Sequence, residues 1–233
     1  MSSGYELPQS YTPVAAIGVD ARASFINRTY NHLMGSIVGF TLIEVWLFSS
    51  GLGDSLAQTM LGGSWLMILG AFMLVSWFAT RVALRSDSKG AQYAALAGFV
   101  VAEAIIFAPM LYMAEAYAPG TISSAAVVTL IGFGGLTGVV FVTRKDFSFM
   151  RGMLMWGGVL ALVAIVGGLL FGFQLGTWFS VAMIGFAGGA ILYDTSNVLH
   201  HYPEDRYVGA ALQLFASVAM LFWYVLRLFM SRD

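Results

Sequence analysis

The sequence predicts an all-α integral membrane protein, a bundle of seven transmembrane helices. Three observations carry this expectation. Hydrophobic residues make up 59% of the 233 and charged residues only 10%, against roughly a quarter charged in an ordinary soluble domain. The few charges are bunched between apolar runs of about 20 residues, the length a helix needs to cross the hydrocarbon. The breaks between runs are short and carry Gly, Pro, Asp or charge clusters, among them GLGDS, RSDSKG, YAPGT, TRKDFSFMRG, GFQLGT and HHYPEDR, so consecutive helices must run antiparallel in a compact bundle.

The seven runs fall at 29–50, 56–82, 91–114, 121–141, 150–171, 177–199 and 208–230. Ahead of them, residues 1–27 are rich in Ser, Pro, Gly and small residues, a composition poorly suited to folding. They read as a disordered cytoplasmic tail, and residues 28–233 as the membrane domain. The chain opens with no basic segment leading into an apolar stretch and a small-residue cleavage site, so no signal peptide is expected to be removed. If the spans alternate, one side receives Arg22, Arg28, Arg81, Arg85, Lys89, Arg144, Lys145, Arg151 and Arg206. The three loops on the other side receive no Lys or Arg, and only Arg227 and Arg232 stand at its C-terminal end. Cytoplasmic loops concentrate Lys and Arg, which places the N-terminus in the cytoplasm and the C-terminus outside, as in a bacterial inner (plasma) membrane protein. Six spans plus a re-entrant segment is the alternative topology.

Composition also narrows function. The chain has no cysteine, which removes disulfides, thiolate metal sites and thiol nucleophiles. A net charge of -1 argues against nucleic acid, which calls for a basic face. The 27 glycines, including GFGGLTG at 132–138, suit close helix packing. That segment has neither the preceding strand nor the lysine of a phosphate-binding loop. Trp46, Trp65, Trp178 and Trp223 are candidate interface anchors. No H-E-x-x-H, G-x-S-x-G or Ser-His-Asp constellation occurs, so no enzyme is expected, and no cofactor beyond calcium as a permeant or bound ion.

Ionisable residues inside spans are costly there and mark pathways, proton relays or packing pairs. Four stand out: Glu44, Glu103, Asp194 and His32. Asp194 lies about five residues inside the sixth span, on the order of 8 Å deep, and Thr195, Ser196 and Asn197 follow it as a polar patch. Arg81 ends the second span on the same side and is a candidate counter-ion. Such a pair either clips two helices together or closes a path until the carboxylate takes up a proton or a cation. Glu103 precedes Pro109 by six residues, and the carbonyl that a proline leaves free could join a carboxylate around a hard cation. Its other reading is a hydrogen bond to a neighbouring helix. Glu44, in the outer half of the first span, has the same two readings. His200, His201, Glu204 and Asp205 match no zinc spacing and read as a solvated turn.

Four segments, FINRTYNHLMGSIVGF, TRKDFSFMRGML, ILYDTSNVLHHYPED and AALQLFASVAMLFWYVLRLFMSRD, together resemble the Bax inhibitor-1 (transmembrane Bax inhibitor motif) family, particularly its bacterial YccA-like members. The resemblance implies six helices enclosing a central C-terminal seventh and, for some members, a pH-sensitive calcium leak. In those members two aspartates, on the sixth and seventh helices, share a proton and link to an arginine on the second. Asp194 matches the first aspartate, and Arg81 stands nearest the arginine. Ser217 falls where the second aspartate would be, a departure from the pattern. Ion passage and pH sensing would then rest on Asp194, Arg81 and Ser217, with Glu103 and Glu44 as further carboxylates and Asp194 as a candidate calcium ligand. YccA-like members also resemble modulators and substrates of the membrane-anchored protease FtsH, which grips a cytoplasmic N-terminal tail. A role in stress response is compatible with either activity.

Overall fold

The computed structural model describes residues 12–231. Eight α-helices follow one another: α1 (Val19–Ser49), α2 (Leu52–Leu61), α3 (Trp65–Arg85), α4 (Lys89–Tyr117), α5 (Thr121–Thr143), α6 (Met150–Phe171), α7 (Gly176–His200) and α8 (Tyr207–Met230). All but α2 are long and apolar enough to cross a membrane, seven in total.

Two boundaries differ from expectation. The second apolar run, expected as one span over 56–82, is two helices. α2 stops at the Gly62-Gly63 pair, Ser64 is extended (φ -78°, ψ 109°), and α3 restarts at Trp65. Hydropathy does not register the pair, although glycine is the residue that most weakens a helix short of proline. The first helix begins at Val19, not near residue 29, and is 31 residues long. Its opening turns, VDARASFINR, are polar enough to be missed by an apolar window yet form helix readily. At 1.5 Å per residue, α1 exceeds the hydrocarbon thickness by several turns, which stand outside it.

Within the tail expected over 1–27, Val14–Ala16 form a 3-10 turn and the residues from Val19 onward belong to α1; residues 1–11 lie outside the described range. Pro13 forms an antiparallel bridge with Pro203, and the Val14 N–H donates to the Tyr202 carbonyl at 2.8 Å. Proline has no N–H, so two prolines can face each other only at a non-hydrogen-bonded position of an antiparallel pair. A 3-10 turn, Val14–Ala16, follows. The Val14 side chain is fully buried in one core cluster with Phe25, Tyr207 and Val208.

Helix α8 is the axis of the bundle, as the resemblance implied. Most of its residues are buried, and it packs against α1, α3, α4, α5 and α7. It runs through both core clusters, first among Leu33, Phe99 and Phe215, then among Phe107, Ile191 and Val225. By contrast, α6 has no buried residue. Between helices in lipid the drive is close packing, and α8 comes closest to α3 at Gly209. A Cβ there would lie 2.6 Å from Leu84 Cδ2 and 2.8 Å from the Ala83 carbonyl oxygen.

The connections at one end of the bundle are tied together. The Arg206 guanidinium donates to the Ser86 carbonyl and, at 2.7 Å, to Asp87 Oδ1. The Lys89 ammonium donates to the Asp205 carbonyl, and His201 Nε2 pairs with Asp146 Oδ2 at 3.0 Å. With the Val14 contact, these join the N-terminal segment, the α3–α4 turn, the α5–α6 loop and the α7–α8 turn at one end. These are the segments in which the sequence concentrates its cations.

Gly209→Ala is expected to lose about 1–3 kcal/mol, the usual cost of overpacking against backbone, read as a lower unfolding temperature in detergent. Gly134→Ala, where nothing lies within 4 Å of the added Cβ, is expected to leave that temperature unchanged or raise it.

Candidate functional site

Asp194 sits on α7 facing α8, 8% exposed. Its Oδ2 accepts a hydrogen bond from the Ser217 hydroxyl at 2.6 Å. The run Asp194, Thr195, Ser196 sends its side chains in three directions, because successive residues turn by 100° around a helix. Ser196 points to the α5–α6 loop, where its hydroxyl oxygen accepts from the Phe147 N–H at 2.8 Å and its O–H donates to Asp146 Oδ1 at 3.4 Å. Thr195 points towards α1 and α5, beside Tyr30 and Thr137. The hydroxyl oxygens of Tyr30, Thr137 and Thr195 are enclosed, with no hydrogen-bond partner among the described residues. Several other span hydroxyls donate back one turn, as Thr29 does to the Phe25 carbonyl at 3.0 Å and Ser36 to the His32 carbonyl at 2.8 Å. The Asp194 neighbourhood is therefore the polar concentration of the bundle interior.

A cavity of about 1120 Å³ opens on the other side of Asp194, walled by α3, α4, α6, α7 and α8. Asp194, Ser217 and Gln213 line one part, Glu103 another, and Gln174 and Arg227 a third, towards the end opposite the cation-rich connections. Glu103, 7% exposed, thus shares a cavity with Asp194, and α4 continues as a helix through Pro109.

The structure separates the other expected participants. Arg81 does not pair with Asp194: it is exposed, with its guanidinium 5.1 Å over the Trp77 ring. The inward stripe of α3 contains Ala79 and Ala83, and Arg81 stands about 200° around the helix from each. Glu44 is 7% exposed and lies outside the cavity, and neither of its oxygens has a hydrogen-bond partner among the described residues. His32 packs among Tyr93 and Tyr207, with ring centroids 5.4 and 5.3 Å away. His200 Nδ1 lies 2.9 Å from the Ser196 carbonyl, His201 holds Asp146, and Asp205 pairs with Arg206 Nε at 3.3 Å. Glu204 sits in the 3-10 turn Glu204–Arg206. Among the described residues no three His, Cys, Asp or Glu side chains gather as a metal site. A resident calcium ion wants six to eight oxygens. One carboxylate, already accepting from Ser217, does not supply them.

Three participants escaped sequence reasoning: Tyr30, Thr137 and Asp146. Tyr30 and Thr137 carry no charge and lie far from Asp194 in the chain, so nothing local marks them. Asp146 does leave a signal, since Asp followed two residues later by Ser forms an Asx-turn, seen here as the Ser148 N–H donating to Asp146 Oδ1 at 2.8 Å.

A family model described as inhibitor of apoptosis-promoting Bax1 matches residues 22–233. The chain belongs to the Bax inhibitor-1 family. An uncharacterized Pseudomonas aeruginosa protein is 31% identical over 199 residues, covering 82% of this chain and 86% of the relative. The Escherichia coli protein named modulator of FtsH protease YccA is 36% identical over 108 residues, 45% of this chain and 49% of that relative. Bax inhibitor 1 of Schizosaccharomyces pombe is 25% identical over 231 residues, 93% of this chain and 80% of the relative. Within this Bax inhibitor-1 member, the matched segment holds the whole Asp194 site, Tyr30 and Thr137 included.

Burial alone would raise Asp146, but hydrogen bonds from Ser148 and His201 outweigh it and hold the carboxyl at about 2, below its ordinary 3.8. A depressed carboxylate stabilises the loop fully above its unfolded value and loses that contribution as pH falls through the folded one. The α5–α6 loop is therefore expected to keep hydrogen-exchange protection at the Ser148 amide above about pH 4 and lose it towards pH 2. Asp146→Asn is expected to abolish that pH dependence.

Proposed function

We propose that this Bax inhibitor-1 protein is a cation leak pathway of the inner membrane, with calcium as the permeant ion and Asp194 as the controlling carboxylate. The observation that carries this reading is the cavity of about 1120 Å³ that Asp194, Ser217 and Glu103 line inside the spanning region. A carboxylate and hydroxyls replace part of the hydration shell that a hard cation loses on entering a narrow passage. Control by proton concentration would act on a single carboxylate, since Ser217 occupies the place of a second. The reading requires no chemical reaction and no cofactor. With the cation-rich end in the cytoplasm, Asp194 controls entry from that side.

Calcium flux into proteoliposomes, measured from pH 5 to 8, tests it. Asp194→Asn is expected to change the flux several-fold and flatten its pH dependence; unchanged flux and profile would remove Asp194 from the role. Ser217→Asp puts a second carboxylate within hydrogen-bond reach of the first, and like charges so close share a proton. That variant is expected to steepen the pH profile relative to the parent.

A second reading, compatible with the first, is that the protein modulates an FtsH-type membrane protease through its N-terminal segment. The printed name of the Escherichia coli relative supports it. Val14 docks against the α7–α8 turn, so the test is confined to the residues ahead of it. Removing residues 2–11 spares that docked contact. Loss of both co-purification with FtsH and degradation by it is expected from this deletion, and persistence of both would sink the protease reading.

A further inference from the structure

Among the described residues, Arg81 and Arg85 on α3 pair with no carboxylate. The ion pairs among the described residues join His201 to Asp146 and Arg206 to Asp87 and Asp205. Asp87, the acid nearest to α3 in sequence, is thus already taken. Both arginines are exposed, and residues four apart are neighbours on a helix, where like charges repel. Trp77 lies one turn further in, under the Arg81 guanidinium. Trp77, Arg81 and Arg85 therefore form one outward stripe, and no ion pair among the described residues balances its charge.

A groove of about 430 Å³ follows this face of α3 from Phe72 to Arg85. It is polar where Thr80, Arg81 and Arg85 line it and apolar where Phe72 and Met73 do. Its inner end shares Phe72, Met73 and Ser76 with the cavity of Asp194. Arg81 is four residues from the end of a 21-residue span, about 6 Å at helical rise, which puts both guanidinium groups at headgroup level with Trp77 at the interface beneath.

We propose that this face of α3 binds an anionic phospholipid, with its phosphate on Arg81 and Arg85 and an acyl chain laid past Trp77 towards Phe72 and Met73. Guanidinium groups match phosphate oxygens in paired hydrogen bonds, which supplies the missing counter-charge. The apolar length of the groove selects a lipid over a free anion, since inorganic phosphate would use only the polar end. Because the groove meets the cavity at Phe72, Met73 and Ser76, the bound acyl chain borders the wall of the Asp194 cavity.

The test titrates the purified full chain in detergent with dioleoylphosphatidylglycerol, dioleoylphosphatidylcholine and inorganic phosphate, with bound lipid counted by native mass spectrometry. Phosphatidylglycerol is expected to bind more tightly than phosphatidylcholine. Arg81→Gln with Arg85→Gln is expected to weaken it by about thirtyfold, from roughly 1 kcal/mol per basic residue near an anionic surface. Arg81→Lys with Arg85→Lys keeps the charge that orients the helix in the membrane and is expected to weaken binding by less. Arg144→Gln with Lys145→Gln removes an exposed basic pair at the same end of the bundle and is expected to leave binding unchanged. Equal binding of the two lipids overturns the proposal, as does an equal loss from the loop pair, which would mean diffuse charge. Full displacement of phosphatidylglycerol by inorganic phosphate at matched concentration would reassign the site to a free anion.

Discussion

Lipid offers no hydrogen bonds, so every polar group within a span must find its partner inside the protein or leave the membrane. That constraint organises this structure. Backbone groups are satisfied by helix, and most hydroxyls donate back one turn, leaving few groups to be settled between helices. Several of those gather where α7 meets α8: Asp194 and Ser217 bond at 2.6 Å, with Tyr30, Thr137 and Thr195 close by, while Glu44 stands apart on α1.

Ser217 faces Asp194 across the α7–α8 contact, so the pair holds one carboxylate and one hydroxyl. Two carboxylates at this distance would titrate as a unit. A serine is a fixed donor across the physiological range, so it orients Asp194 without competing for its proton. Glu103, on a different helix, is a second carboxylate lining the same cavity.

The cation-rich end is assembled from segments far apart in the chain. Arg206, Lys89 and His201 each bond to a different connection, and Val14 adds the N-terminal segment. Ser196 links this end to the interior, since it contacts the α5–α6 loop only two residues beyond Asp194. A shift of that loop would therefore be felt first at the helical turn that carries the carboxylate. Arg81 and Arg85 share this end of the bundle but not its internal network, and they face outward where the bilayer begins.

Sequence by itself determined what each residue can tolerate: which runs bear lipid, where the cations gather, and that Asp194 is too deep to be a surface charge. These follow from transfer energies that are properties of single residues and their near neighbours. It also carried the family pattern, through which Ser217 was singled out as the residue facing Asp194. It misplaced the start of α1, because VDARASFINR is helical without being apolar, and it merged α2 with α3, because hydropathy does not register a glycine pair. Only the tertiary structure decided which way residues point and what they meet. Arg81 and Asp194 lie at the same end of the bundle, but a rotation of about 200° around α3 separates the arginine from the interior. Tyr30 and Thr137 meet beside Thr195 although more than fifty residues of chain lie between each of them and it, and the Val14 contact joins segments at opposite ends of the sequence. Angular position and long-range contact depend on how all the helices pack at once, and no local stretch of sequence contains that information.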